Sequence, residues 1–157
     1  MRFNKNTFSS SGSKRNGFTL VELMVAAVIM IIAFVGILVA YIRCLEISEM
    51  SKNSSTALTA SKSHMEQIKN TTFADILATY HNVAFTAPNL NGMGVSYVDA
   101  SNPDLLQVTV TFCWRQKSGL RVGEDTDLDG VIDAGEDVNA NGMLDSPVQL
   151  VTYIYDE

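Results

Sequence analysis

A run of twenty uncharged residues constrains this chain more than any other feature of its sequence. The run extends from Leu23 to Ile42 and consists almost entirely of Val, Ile, Leu, Met, Ala and Phe. As a helix it would be about 30 Å long, which matches the hydrocarbon core of a bilayer. A helix in a soluble core is rarely apolar on every face over such a length. The sequence therefore predicts a membrane-inserted helix that begins at Phe18 and continues past the membrane to about Asn70.

A carboxylate, Glu22, lies directly before this run. An acid at the centre of a membrane helix costs about 2.5–3.5 kcal/mol, and an acid near the end of the helix costs less. A charge in this position indicates a function, and it requires a partner of opposite charge.

The segment around Glu22, KRNGFTLVEL at residues 14–23, resembles the class III signal of type IV pilins and type II secretion pseudopilins. It has a basic leader, Gly17 before the cleavage point, Phe18 as the first mature residue and Glu22 as the fifth. The resemblance implies cleavage between Gly17 and Phe18 by a prepilin peptidase, methylation of the new amino group and assembly into a filament. It also implies that Glu22 pairs with the Phe18 ammonium of a neighbouring subunit.

Two simpler interpretations of the apolar run compete with this one. An ordinary secretory signal has an apolar region of about 7–15 residues, followed by a small-residue cleavage site. Here the run is longer and the glycine precedes it. A plain single-pass anchor explains the hydrophobicity, but it does not explain the pattern of Gly17, Phe18 and Glu22.

The charges are distributed unevenly along the chain. Residues 1–17 contain four basic residues and no acidic one, whereas the rest of the chain contains 7 basic and 17 acidic residues. The basic leader predicts a cytoplasmic N-terminus, with everything after Ile42 on the outer side of the inner membrane. We expect the protein to move from there into a pilus or pseudopilus. The acidic excess argues against nucleic acid as a partner.

The chain therefore divides into a cleaved leader (1–17), a transmembrane or filament-core helix (18–42) and a head (43–157). The predicted fold class is α+β: a long N-terminal helix packed on a small antiparallel sheet, as the pilin resemblance also implies. A helical stripe of apolar residues is expected to face the sheet: Met50, Ala57, Leu58, Met65 and Ile68. Strands are predicted at Val95–Val98, Leu106–Arg115 and Val148–Tyr155. The alternation in the second strand turns five residues inward: Leu106, Val108, Val110, Phe112 and Trp114.

The segment from Glu124 to Asp145, here called the acidic insertion, contains eight acidic residues and no basic one. Its simplest interpretation is a solvated acidic loop. However, its first half fits the spacing of an EF-hand calcium loop. Calcium takes six to eight oxygen ligands, which closely spaced carboxylates supply. The predicted ligands of this first loop are Asp125, Asp127, Asp129, the Val131 carbonyl, Asp133 and bidentate Glu136.

A second loop with the same spacing follows directly. Its predicted ligands are Asp137, Asn139, Asn141, Met143 and Asp145. Its twelfth position is Val148, so the bidentate acid is missing, and we expect this loop to be weaker or to be completed by an acid from elsewhere. No helix is predicted on either side of the loops, which distinguishes them from a true EF-hand.

These features predict a structural subunit, a minor pilin or pseudopilin whose head is stabilised by calcium. Its expected partners are other pilin subunits and the prepilin peptidase. The strands also resemble those of type IV pilus modification minor pilins and of I-type minor pseudopilins. The alternative is a membrane-anchored, calcium-dependent adhesin or sensor that does not assemble. An enzyme is not expected, because the sequence contains no nucleophile with a nearby base. A disulfide between Cys44 and Cys113 is left open.

Overall fold

The computed structural model of the chain describes residues 17–156, so the predicted leader lies outside the described residues except for Gly17. The described chain separates into two compact units between Ile42 and Arg43. The elements are helices α1 (Leu20–Lys69) and α2 (Phe73–Tyr80) and strands β1 (Val83–Phe85), β2 (Gly92–Asn102), β3 (Leu105–Arg115), β4 (Arg121–Val122) and β5 (Gln149–Tyr155). The α+β prediction, a long helix packed on a small antiparallel sheet, is confirmed.

The first part of α1 is apolar and exposed on every face up to Ile42. By length and composition α1 can cross a membrane, and none of its most apolar window is buried within the chain. The helix begins where the Thr19 hydroxyl oxygen accepts the N–H of Glu22 at 3.2 Å. This is the hydrogen bond of a helix N-cap, and it places Glu22 in the first turn. A carboxylate there interacts favourably with the positive end of the helix dipole.

Every strand pair of the sheet is antiparallel. The strand order is β1-β2-β3, and both β4 and β5 pair with the remaining edge of β3. Strand β2 extends beyond the predicted Val95–Val98 at both ends, and Gly92 and Gly94 lie within it. A Cβ atom at Gly94 would collide with the rings of Phe85 and Phe112, so these aromatic side chains occupy the space that a side chain would need.

The core lies between the sheet and the part of α1 that follows Arg43. The predicted inward face of β3 is confirmed, since none of its five residues is more than 4% exposed. Met65 and Ile68 of α1 pack on this face together with Ile76 of α2. The prediction for Met50 is wrong: it is 42% exposed, because the buried part of the helical stripe begins only at Ala57.

The opposite face of β3 is also buried, which the alternation of its residues did not predict. Thr109, Thr111 and Cys113 are at most 3% exposed. The acidic insertion covers this face, and its Leu144 is fully buried against the neighbouring strand β2. The second unit therefore has three layers, which are helix, sheet and insertion.

Candidate metal centre

The acidic insertion leaves and rejoins the sheet at one edge of β3. Strand β4 precedes it and β5 follows it, and both pair with that edge. At its base, the N–H of Glu124 donates to the carbonyl oxygen of Asp145 at 2.9 Å. The ends of the insertion are therefore held together by the sheet and by a direct bond, whether or not an ion is bound.

The structure brings together the five acids predicted for the first loop. Carboxylate oxygens of Asp125, Asp127 and Glu136 lie within 4.8 Å of one another, and so do those of Asp127, Asp129 and Asp133. Asp127 belongs to both groups. Such closely spaced charges repel one another unless a cation neutralises them.

The backbone of the first loop is wrapped around these side chains. The N–H of Gly130 donates to Asp125 Oδ2 at 3.0 Å, and the N–H of Val131 donates to Asp129 Oδ1 at 2.7 Å. Leu128 and Gly130 have φ angles of 67° and 79°, which lie in the left-handed region. Gly130 adopts this conformation without the steric cost that Leu128 bears, and a Cβ atom at Gly130 would lie 2.9 Å from the Cβ atom of Ala84, so this position favours a glycine.

Glu136 closes the first loop. Its Oε1 accepts both the N–H and the hydroxyl of Thr126 at 2.7 Å, and its Oε2 accepts the N–H of Asp133 at 3.1 Å. Glu136 is only 4% exposed, although it carries a carboxylate. Glu136 thus adds a carboxylate oxygen to the group of acids from the position that an EF-hand gives to its bidentate acid.

Burial and hydrogen bonding shift the pKa values of the two most buried acids in opposite directions. Burial raises the pKa of Asp125, and the charges of Glu136 and Asp127 raise it further, while backbone N–H donors act against this shift. Burial also acts to raise the pKa of Glu136, but the bonds from Thr126 and other donors outweigh it, so that this pKa is lowered. Hydrogen bonding therefore favours the ionised form of Glu136, whereas burial favours the protonated form of Asp125.

The second loop repeats the geometry of the first at an interval of twelve residues. The N–H of Gly142 donates to Asp137 Oδ2, and the N–H of Met143 donates to Asn141 Oδ1, both at 2.8 Å. Ala140 and Gly142 have φ angles of 56° and 75°, at the same two positions as in the first loop. The two loops are therefore structural repeats of each other.

Glu124 occupies the closing position of the second loop, which the sequence had left without an acid. Its Oε1 accepts the N–H of Val138 at 3.3 Å, and its Oε2 accepts the N–H of Asp145 at 2.9 Å. These donors are the second and ninth residues of their loop, like the donors to Glu136 in the first. Val148, which the spacing puts at the twelfth position, is buried in the core.

Sequence reasoning missed Glu124, although a signal was present. The pattern Glu-Asp-x-Asp/Asn-x-Asp/Asn-Gly occurs at residues 124–130 and again at residues 136–142. Each repeat begins with a glutamate that closes the other loop. The EF-hand spacing assigns the closing acid to the same loop as the other ligands, so it could not detect this exchange.

The second loop is the more exposed of the two. Asn139 and Asn141 are exposed, and their side-chain amides donate to Asp145 Oδ2 at 2.7 and 3.0 Å. Two amides replace two carboxylates of the first loop, which lowers the negative charge available to a cation. No helix flanks either loop within residues 17–156, in agreement with the sequence.

The two cysteines do not pair, and His64 lies in the core rather than at the loops. Within the described part of the chain both cysteines are free, Cys44 exposed and Cys113 buried. His64 is buried and stacks on Phe85, with 4.1 Å between the ring centroids.

The residues of the predicted processing site lie at the start of α1. Gly17 and Phe18 precede the helix and are exposed, and Glu22 lies in its first turn. A Cβ atom added to Gly17 would meet no atom of the chain within 4 Å. The fold therefore does not require a glycine at this position.

One comparison with known proteins identifies this segment. A family model described as the prokaryotic N-terminal methylation motif matches residues 12–38. No curated protein and no solved structure matches the chain. The match includes Gly17, Phe18, Glu22 and most of the apolar run, and it supports a class III signal of the type IV pilin kind.

Proposed function

We propose that this chain is a structural subunit, a minor pilin or pseudopilin, of a type IV pilus or a type II secretion filament. One observation carries the proposal: the methylation motif at residues 12–38 coincides with an apolar helix whose faces are all exposed up to Ile42. Such a helix requires a bilayer or other helices around it, and a filament core supplies the latter. The head, a helix packed on an antiparallel sheet, is compatible with this role.

In this proposal the chain is first anchored in the inner membrane with a cytoplasmic leader. A prepilin peptidase then cleaves between Gly17 and Phe18, and the new amino group is methylated. Glu22 lies about one helical turn beyond this amino group. On assembly, Glu22 pairs with the Phe18 ammonium of a neighbouring subunit, which compensates a charge that would otherwise be buried without a partner.

The test of processing is the mass and N-terminal sequence of the protein in the cell envelope. We expect a methylated Phe18 start for the wild type and an uncut leader for Gly17→Val, because a peptidase approaches the backbone closely at this point. Gly36→Ala is the matched control, since a Cβ atom at either glycine meets nothing within 4 Å in the chain. A Phe18 start in the Gly17 variant would contradict the proposal.

We further propose that the head binds two calcium ions, one in each loop of the acidic insertion. The first would be held by Asp125, Asp127, Asp129, the Val131 carbonyl, Asp133 and Glu136, and the second by Asp137, Asn139, Asn141, the Met143 carbonyl, Asp145 and Glu124. All these donors are oxygens, which suits a hard cation. For loops without flanking helices we expect the weak affinity of extracellular modules, with Kd about 10⁻⁴–10⁻³ M.

The second candidate function is a membrane-anchored, calcium-dependent adhesin or sensor that does not assemble. The two repeated loops favour it, because ion-binding loops also occur in proteins that respond to calcium. The two functions differ in Glu22, which an anchor does not need. Incorporation of the wild-type chain into filaments, and its loss in Glu22 variants, would therefore distinguish the subunit from the anchor.

A further inference from the structure

Strand β5 forms an edge of the sheet that lacks the usual protection against pairing with another strand. None of its seven residues is charged or a proline, and its register with β3 is uninterrupted. The edge strand on the other side of the sheet, β1, has only three residues. Proteins normally protect an exposed edge with short strands, charges, prolines or bulges, because its unpaired backbone groups can bind a further strand. Strand β5 has none of these devices.

The hydrogen bonds to β3 determine which backbone groups of β5 point outward. The N–H of Phe112 donates to the carbonyl oxygen of Val148 at 3.1 Å, and the register places these two residues opposite each other. Hydrogen-bonded pairs alternate along an antiparallel ladder, so the even-numbered residues of β5 bond to β3. The backbone groups of the odd-numbered residues point away from β3, and among residues 17–156 no other strand pairs with them. These outward-pointing residues are Gln149, Val151, Tyr153 and Tyr155.

The surroundings of β5 leave room for an added strand. Val151, Tyr153 and Tyr155 are 51%, 59% and 65% exposed and form an apolar stripe on the outer face of the sheet. On the other face, two hollows of about 400 and about 440 Å³ lie between β5 and the helices. The side chains of an added strand could therefore be accommodated on both faces of this edge.

The strand that fits this edge is the β5 of a second copy of the chain. When two copies pair antiparallel about Thr152, Val151 lies opposite Tyr153 and Gln149 lies opposite Tyr155, and the same pairs recur in reverse. This register alone pairs all the outward-pointing residues of one copy with those of the other. It also places β-branched side chains opposite aromatic ones, which is a favourable cross-strand pair.

The same register brings opposite charges together. Lys62 lines the hollow beside Leu150 and has no ion-pair partner in the described part of the chain. Asp156, which follows β5, lines the other hollow and so lies on the same face of the sheet. In the antiparallel pair, the Asp156 of each copy lies near the beginning of the other copy's β5, which is the end where Lys62 lies. Two reciprocal ion pairs can form there.

We propose that β5 is a dimerisation edge, through which two copies of this chain join their sheets into one continuous sheet with two-fold symmetry. The pairing requires neither filled calcium loops nor cleavage of the leader. A two-fold contact closes after two copies, whereas a filament needs contacts that continue from subunit to subunit. We therefore assign the pair to the membrane-anchored chain outside the filament, which goes beyond the proposed function.

Analytical ultracentrifugation of the full-length protein in detergent measures the pairing. We expect the wild type to form dimers as its concentration rises, and Tyr153→Lys to raise the dissociation constant at least about tenfold, because a two-fold pair contains each substitution twice. Leu120→Lys is the matched control, since Leu120 is 57% exposed outside β5, and it should dimerise like the wild type. A monomeric wild type would overturn the proposal. So would normal dimerisation of Tyr153→Lys, which would mean that the apolar helix makes the contact.

Cysteine cross-linking tests the register. Thr152 lies opposite its own counterpart in a non-hydrogen-bonded pair, where the Cα atoms are about 4.5 Å apart, within the range of a disulfide. We expect Thr152→Cys, in a Cys44→Ser background, to form a disulfide-linked dimer on mild oxidation. Gln149→Cys is the control, because the two copies of Gln149 lie about 20 Å apart along the strands. Failure of Thr152→Cys to cross-link, or equal cross-linking of both variants, would overturn the pairing.

Discussion

At the scale of single residues, the two glutamates that precede the loops have the most specific roles. Glu136 and Glu124 each accept two backbone N–H groups, from equivalent positions of the two loops. Glu136 stands at the end of the first loop, which it closes. Glu124 precedes the second loop, which it closes. Because of this exchange, the loops depend on each other for their ligands, and removing one glutamate should affect one ion rather than both.

We expect Glu136→Gln and Glu124→Gln each to reduce the number of bound calcium ions from two to one. A glutamine retains the shape and one acceptor oxygen, but it lacks the charge and the bidentate geometry that calcium prefers. Equilibrium dialysis of the full-length protein in detergent measures the stoichiometry. Asp104→Asn is the control, since it removes the same charge from an exposed turn far along the chain from the loops. Two ions bound to Glu124→Gln would contradict its assignment.

His64 gives the head a pH-dependent stability. Burial lowers the pKa of His64 below its ordinary value of 6.5, against a weaker opposing effect of a hydrogen bond with Gln67. The ring is stacked on Phe85, lies edge-on to Tyr80 and is bonded to the Ser96 hydroxyl, and none of these groups carries charge at neutral pH. The folded state therefore prefers the neutral ring.

The sign of the effect follows from this shift. Above the ordinary pKa of 6.5 the ring is neutral in both states, and the stability that it contributes is complete. As the pH falls below 6.5, the unfolded state gains a proton, whereas the folded state resists it until the pH reaches the lowered pKa. We expect the melting temperature in calcium to decrease between about pH 7.5 and about pH 5. His64→Gln should melt lower overall and lose most of this dependence. An unchanged pH slope in the variant would contradict the role of His64.

At the scale of elements, α1 joins two environments within one uninterrupted helix. The apolar run, the signal and the fold class could all be predicted from the sequence, because hydrophobicity and helical spacing are local properties. The length of β2 and the burial of Cys113 in β3 could not be predicted, because they depend on which other segments pack against these strands. The alternation in β3 indicated a single core face, whereas the acidic insertion supplies a second.

One prediction about assembly concerns Glu22, which lies in the first turn of α1. Glu22→Val removes a charge from the membrane segment, so we expect normal insertion and cleavage. Incorporation into filaments should decrease strongly, because the neighbouring Phe18 ammonium would be buried without a partner. Sheared filaments analysed by mass spectrometry measure this. Glu46→Gln removes a charge beyond the apolar run, next to Arg43, and should assemble normally. Normal incorporation of Glu22→Val would contradict the pairing, whereas absence of the wild-type protein from filaments would support the anchored adhesin or sensor.

Leu144 is the single apolar residue of the insertion that is fully buried, and it should contribute measurably to stability. We expect Leu144→Ala to lower the free energy of unfolding in calcium by about 2–5 kcal/mol. The loss is toward the lower end of this range if the insertion moves to fill the cavity that the leucine side chain leaves. Val138→Ala is the matched control, since Val138 is 80% exposed in the same insertion. Urea denaturation monitored by the fluorescence of Trp114 measures both. Equal effects of the two substitutions would mean that Leu144 does not anchor the insertion.

At the scale of the whole molecule, the proposed calcium binding would link the composition of the chain to its stability. The chain after Gly17 contains 17 acidic and 7 basic residues, and eight of the acids are in the insertion. Ions that bind only the folded state stabilise it by RT ln(1 + [Ca²⁺]/Kd) for each site.

We therefore expect calcium to raise the melting temperature of the full-length protein. At roughly 2 mM calcium and the expected Kd, each filled site adds about 0.6–1.8 kcal/mol. For a head of this size one site corresponds to a shift of roughly 2–8 °C. Differential scanning calorimetry in calcium against EDTA measures the shift, and magnesium at the same concentration controls for charge screening. A midpoint that responds equally to both ions would indicate a solvated acidic loop without a specific site.

The joined ends of the acidic insertion have an evolutionary consequence. A segment that leaves and re-enters a protein at a single backbone hydrogen bond, here from Glu124 to Asp145, can be gained or lost by recombination without changing the register of any strand. The insertion is in this sense a transferable cassette, and its twelve-residue repeat is the pattern expected of a duplication within it. Transfer would also require a host surface with room for Leu144 and a hydroxyl in the position of Tyr97, which accepts the Leu144 N–H. In a related chain that lacks the acidic insertion, solvent would contact this face of the sheet. Such a chain should therefore carry polar residues at the positions of Val95 and Cys113.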